Sequence, residues 1–237
     1  MSDVRQKSEI APAPILQDGK EYPPLIRDRL GDGAPRCLYG IGDATILRNR
    51  LLGLVCSIQC PGSVVIKTFD AVRALRDAGV VVAGGFHSPM ERECLHFLLR
   101  GEQPVVLCVA RGLGSYRLDP EHKEAVEDRR LLVLSPFAET YHRTTAAQAV
   151  ERNNVVAAMS QALWVPHASP SGKTWTTVRA ALARAQPVYT FDDEENAELL
   201  KAAVNPFEDL DCSEFTGETG AEHVDRAVRR FSEYERG

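Results

Sequence analysis

The chain has 237 residues, 44% of them hydrophobic and 26% charged, with a formal net charge of −5. That suffices for one domain with a sizeable core. No apolar run approaches the roughly 18 residues a membrane span needs. The polar, Pro-containing start "MSDVRQKSEIAPAPILQ" lacks the apolar centre of a signal peptide, so a cytoplasmic protein with no membrane partner is expected. The acidity is uneven: residues 192–237 hold 14 Asp and Glu against 5 Lys and Arg, which leaves the rest of the chain net positive and able to meet an anion.

In chain order, "LLGLVCSI" (51–58) reads as a strand, and a Pro-Gly turn with Ser63 as N-cap opens the helix "VVIKTFDAVRALRDAG", which Gly79 stops. "VVVAGG" is a buried strand ending in a glycine pair. In the helix that follows, Ser88 and Glu91 form a capping-box pattern with Pro89 at the first position. "PVVLCVA" and "LLVLS" are strands around the polar helix "DPEHKEAVEDRR". "TTAAQAVERNNVVAAMSQ" is a helix and "ALWVPHA" a strand. "TWTTVRAALARA" is a helix, "PVYTF" a sixth strand, and "DDEENAELLKAAV" a closing helix. The six cysteines (Cys37, Cys56, Cys60, Cys94, Cys108, Cys212) read as buried free thiols; Cys56 and Cys60 lack a second ligand pair, so no metal is expected.

Strands that are continuous apolar runs alternating with helices imply an α/β fold, a doubly wound and mostly parallel sheet covered on both faces. Ligands of such sheets sit at the carboxyl ends of the strands, where loops enter helix N-termini. The loops to watch are therefore 57–63, 84–88, 110–117, 135–143 and 167–174.

The last of these contains "ASPSGKTWTT". Gly172, Lys173 and Thr174 match the tail of a Walker A motif, but the glycine five positions before Gly172 is replaced by His167, and Pro170 removes an amide donor. A hydrolytic phosphate loop is not expected. A helix N-terminus with Ser171, Lys173 and Thr174 beside it suits an anion without hydrolysis; the simpler alternative is that Ser171 or Thr174 only caps the helix.

The order of landmarks resembles the DNA-processing protein A (DprA/Smf) family of the Rossmann-like SLOG superfamily. "EYPPLIRDRLGDGAPRCLYGIGDATIL" is similar to that family's lead-in, with Pro35, Leu38, Tyr39 and Gly42 at matching positions. "LLGLVCSIQCPGS" aligns with the family's Val-Gly-Ser-Arg strand, where Ser57 is kept, Cys56 replaces Gly and Ile58 replaces Arg. "GVVVAGGFHSPMERE" keeps Gly84 and puts His87 in place of an Arg and Met90 in place of an Asp. "ERNNVVAAMSQALWVPHASPSGKTWTT" agrees at Arg152, Asn153, Ser160, Ser171, Gly172 and Thr176; Asn154 replaces an Arg and His167 a Glu. "NAELLKAAVNPF" is similar to the family's closing segment.

The resemblance covers about residues 21–207 and implies a single SLOG-type, Rossmann-like core domain, with residues 1–20 a flexible lead and 208–237 an acidic appendage. It further implies single-stranded DNA binding without catalysis, no cofactor, a RecA-type recombinase as partner, and a homodimer. The phosphate or nucleic-acid contacts would come from Ser57, Gly84, Gly85, His87, Ser88, Arg111, Arg117, Arg152, Asn153, Ser171, Gly172, Lys173 and Thr174, with His142 and Arg143 nearby. Tyr116, Tyr141 and Trp175 are candidate base-stacking platforms, Trp175 with a core role as the alternative. Loss of charge at Ile58, His87 and Asn154 implies weaker affinity than a typical relative has. A SLOG-type nucleotide sensor, or a phosphoribohydrolase acting on nucleoside monophosphates, is the alternative function. The glycine-rich loop and glutamate of such hydrolases are missing here, and Glu91, Glu93 and Glu151 lack a supporting motif.

Overall fold

The structure, a computed structural model, describes residues 11–216. Nine strands form one sheet: β1 (Ala13–Leu16), β2 (Cys37–Ile41), β3 (Leu51–Leu54), β4 (Val81–Gly84), β5 (Val105–Cys108), β6 (Leu131–Ser135), β7 (Ala162–Trp164), β8 (Val188–Thr190) and β9 (Asn205–Pro206). Eight helices connect or flank them: α1 (Pro24–Leu30), α2 (Gly62–Asp77), α3 (Pro89–Leu98), α4 (Pro120–Glu127), α5 (Ala146–Met159), α6 (Lys173–Ala183), α7 (Ala197–Lys201) and α8 (Ser213–Thr216). The strand order is β1-β2-β6-β5-β4-β3-β7-β8-β9. The seven strands from β3 to β9 pair in parallel, whereas β1–β2 and β2–β6 pair antiparallel.

The central strands alternate strictly between two cores, because successive side chains of a strand point to opposite faces. Val82, Val105, Leu107, Leu131 and Val133 join the cluster that packs under α2, α3 and α4. Val81, Ala83, Val106, Leu132 and Leu134 join the cluster under α1, α5 and α6. Burial on both faces is why these strands read as unbroken apolar runs.

Local signatures transfer well at α3. The Ser88 Oγ accepts from the Glu91 amide at 3.1 Å and the Glu91 Oε2 accepts from the Ser88 amide at 2.9 Å, closing the capping box that the sequence predicts. Gly79 ends α2 with φ +78, a conformation that favours glycine. At the start of α2 the expectation differs: the helix begins at Gly62 with Pro61 in the cap position, so exposed Ser63 lies inside the first turn and caps nothing.

The sheet extends past the N-terminal end of the expected 21–207 core, and the packed core past its C-terminal end. Ala13–Leu16 pairs with Cys37–Gly40 as the outermost strand. At the other end Leu210, Cys212 and Phe215 are buried in the core, and Phe207 stacks 4.7 Å from Trp164. These short polar-flanked segments bury one apolar residue in two or three, too weak a pattern to show in sequence. Residues 217–237 of the acidic appendage lie outside the described residues. Among the described residues no helix is long and apolar enough to cross a membrane.

Candidate nucleic-acid interface

Strand order reverses at β3: connections run one way through β4, β5 and β6, and the other way through β7 and β8. The loops leaving β3 and β7 therefore diverge and leave a crevice at the carboxyl end of the sheet. Past the ends of the strands the two chains stay joined. The Ser57 amide donates to the His167 carbonyl at 3.0 Å, and the Ser169 amide donates to the Ser57 Oγ at 3.3 Å. Ser57 and Gly172 thus share one site, although 115 residues separate them in sequence.

That site is a cleft of about 420 Å³ lined by Cys56, Ser57, Ile58, Gln59, His87, Glu91, Ala149, Val150, Arg152, Asn153, Ser169, Gly172, Lys173 and Thr174. One wall is the N-terminus of α6. Gly172 occupies its cap position with no side-chain bond to the first turn, so the opening amides of the helix face the crevice without a capping side chain. Lys173 is exposed at the first helical position and Thr174 is buried behind it.

The opposite wall is Arg152, in the middle of α5. Its residue is only 5% exposed. The Nη1 atom donates to the Cys108 carbonyl at 2.7 Å, while the buried Nε has no acceptor. Among the described residues no carboxylate pairs with it. A buried guanidinium without a counter-charge is costly. An anion in the cleft would relieve that cost.

The guanidinium fits there because residue 85 is glycine: a Cβ built on Gly85 would lie 1.9 Å from Arg152 Nη1. The next residue, Phe86, is buried with φ +44, a left-handed conformation rarely adopted by a bulky side chain. It turns the chain so that His87 emerges on the rim. Glu91, an acidic residue lining this cleft, has its Oε2 engaged by the His87 and Ser88 amides at 3.2 and 2.9 Å.

Of the sequence-predicted residues, the structure brings Ser57, His87, Arg152, Asn153, Gly172, Lys173 and Thr174 into this cleft. Gly85, His87, Arg111 and Arg152 line a second cleft beside it, of about 540 Å³. The others lie elsewhere. Ser88 is buried as the cap of α3, and Gly84 is held inside β4, where an added Cβ would meet the Phe86 ring at 3.0 Å. Ser171 and Arg117 are exposed and line neither cleft, as are His142 and Arg143. Trp175 packs against the α5–α6 core, the structural alternative for that residue, while Tyr141 is 49% exposed and packs beside Phe137. Ser169 and Gln59 line the cleft without having been singled out by sequence; only their nearness to Ser57 and Gly172 could have suggested them.

His167, at the position of the missing Walker glycine, is directed inward. Its Nδ1 lies 3.0 Å from the Asn196 Oδ1, and Asn196 Nδ2 donates to the Pro166 carbonyl at 2.9 Å. The segment before Gly172 is thereby tied to the 3₁₀ turn at Glu194–Asn196 rather than wrapped around a phosphate. Among the described residues no cluster of three His, Cys, Asp or Glu is placed to hold a metal ion.

The comparisons with known proteins agree with this architecture. DNA processing protein A from Helicobacter pylori superposes with a TM-score of 0.68 and 18% identity, over 88% of this chain and 95% of that one. DNA processing protein A from Streptococcus pneumoniae superposes with a TM-score of 0.71 and 15% identity, over 90% of this chain and 73% of that one. At such identities the likeness shows the fold. No curated protein matches the chain in sequence. The model of the family described as DNA recombination-mediator protein A matches residues 14–210, spanning every strand from β2 to β9 and the crevice between β3 and β7, and the chain belongs to that family.

Proposed function

We propose that the protein binds single-stranded DNA through its phosphate backbone, without catalysis, in the cleft between Ser57, Arg152 and the N-terminus of α6. The observation that carries this reading is the buried, unpaired Arg152 guanidinium facing the uncapped amides of α6. Two donor sets converging on one crevice suit a polyanion. Membership of a recombination-mediator family supports the same reading, as does the fold shared with the Helicobacter pylori protein, which binds single-stranded DNA. A RecA-type recombinase as partner and a homodimer as assembly belong to this proposal and rest on the family; co-sedimentation with a recombinase filament and sedimentation velocity test them.

The DNA reading is tested by anisotropy titrations of a labelled single strand over a range of salt. Arg152→Ala is expected to cost on the order of 1.5–3 kcal/mol, since a charged hydrogen bond from a buried site is lost. Lys173→Ala is expected to cost less, its ammonium being exposed and screened. Each substitution should flatten the salt dependence by about 0.7 per phosphate contact removed. If no strand binds at low salt while a nucleoside monophosphate raises the melting temperature, the nucleotide-sensor reading replaces this one.

A further inference from the structure

The loop that leaves β3 carries two thiols that strand binding does not use. Cys56 is buried, Cys60 is half-buried, and neither is in a disulfide. The two side chains hydrogen-bond to each other, Cys56 as the donor. Residues 55–61 belong to no strand or helix, so the backbone that joins the pair can adjust.

Their surroundings divide the roles. The hydrogen bond from Cys56 holds Cys60 below the ordinary thiol range, against burial and the Glu195 carboxylate. Cys60 also directly precedes Pro61, the cap residue of α2, whose first turn receives no side-chain cap. An uncapped helix N-terminus favours a thiolate, the form that peroxides oxidise. Cys56 is kept as the thiol by its bond to Cys60 and by burial, with the Glu91 carboxylate adding to both. The pair also reaches the anion cleft. Cys56, Ser57, Ile58 and Gln59 line it. The His167 amide donates to the Cys56 sulfur, the Ser57 amide to the His167 carbonyl at 3.0 Å, and the Ser169 amide to the Ser57 Oγ at 3.3 Å. The placement of Ser57, and of the segment leading to Gly172, therefore depends on where Cys56 points.

We propose that peroxide joins Cys56 and Cys60 in a reversible disulfide, and that closing it weakens the grip of the adjacent cleft on a strand phosphate. The second half of this inference rests on the phosphate reading of that cleft. The Cys60 thiolate attacks one peroxide oxygen: an S–O bond forms, the O–O bond breaks and hydroxide leaves, taking up the proton that Cys60 had shed. The Cys56 sulfur then attacks the sulfur of the Cys60 sulfenic acid. An S–S bond forms, the S–O bond breaks, and the departing hydroxide takes the Cys56 proton. Two thiols are oxidised by two electrons and one peroxide is reduced to two waters. A bond of about 2.05 Å between the sulfurs draws Cys56 away from the His167 amide and constrains residues 57–59 at the cleft wall.

In the test, the full chain is treated with hydrogen peroxide, quenched with catalase, and divided between peptide mass spectrometry and anisotropy with a labelled oligothymidine at fixed salt. Cleavage after Arg50 and Lys67 leaves both cysteines in one peptide, which is expected to be lighter by two hydrogens and to regain them with dithiothreitol. The oxidised protein is expected to bind about tenfold more weakly, the scale of one lost hydrogen bond to a charged group, and to recover on reduction. Binding by Cys60→Ser, a change at a residue that does not line the cleft, should not respond to peroxide. Cys56→Ser should stop at a Cys60 sulfenic acid, trapped by dimedone. Absence of the bridge, oxidation of Cys37 or Cys94 ahead of the pair, a bridge that leaves binding unaltered, or a peroxide response that survives Cys60→Ser overturns this inference alone. If neither redox form binds a strand, the phosphate reading falls and the coupling falls with it, while the peptide mass still decides the bridge.

Discussion

Gly85 and Arg152 occupy one space. A side chain at 85 would place its first carbon 1.9 Å from the Arg152 Nη1 and 2.1 Å from the guanidinium carbon. The demand on residue 85 is not one of backbone torsion, since its φ is not among the positive ones of the chain. It is a demand for volume: the strand end must be bare so that a cation from α5 can cross it, reach the Cys108 carbonyl and separate the two clefts.

Gly85→Ala is accordingly expected to displace the guanidinium and to weaken single-strand binding about as much as Arg152→Ala does. Because both changes remove the same group from the same place, the double variant should bind no worse than either single one, a strong departure from additivity. Crowding of a closely packed site should also cost about 1–3 kcal/mol of stability, read as a lower melting temperature. Additive losses in the double variant would show that the two residues act separately.

A second prediction concerns the turn that holds His167. The Asp193 carboxylate accepts from the Glu195 amide at 3.0 Å and pairs with Lys67 at 3.1 Å; the amide hydrogen bond, more than the lysine, holds its pKa below the ordinary aspartate value. A depressed folded-state pKa contributes stability that is present above the unfolded value, about 3.9, and is lost as pH falls through the lower folded one. Asp193→Asn keeps a capping oxygen but removes the charge, and should therefore lower stability at pH 7 by less than the roughly 1 kcal/mol that losing the cap altogether would cost. In urea melts the gap between variant and parent should close below about pH 4. A gap independent of pH would leave the carboxylate charge without a role.

The thiols should differ sharply in reactivity. Burial pushes Cys108 and Cys212 up to about 12, and Cys94 is raised further by the same cause. Cys56 and Cys60 hydrogen-bond to each other, which raises Cys56 well above its usual range and lowers Cys60. A thiolate is the reacting form. Brief alkylation of the native protein at pH 8, read by peptide mass spectrometry, should modify half-buried Cys60 ahead of Cys56, Cys94, Cys108 and Cys212. Labelling of Cys56 first would reverse the donor and acceptor roles assigned to the pair.

Much of this protein could be read from residue order. The apolar runs 51–58 and 81–84 and the capping residue Ser88 carry their meaning within a few positions, because strand period, helix period and N-cap bonding are local. That the Walker A motif is incomplete could be read the same way, from one missing glycine and one proline. Arg152 is singled out through the family resemblance. What residue order did not reveal was that β1 and β2 close the sheet antiparallel beside β6, that Ser171 lies outside the crevice, and that Gly85 is bare for the sake of Arg152. The reason is separation along the chain. Arg152 reaches a carbonyl 44 residues away and Ser57 meets an amide 112 residues away. Such pairings depend on strand order and on how two helices pack, which no local periodicity encodes, and they determine which polar side chains end in the cleft and which in the core.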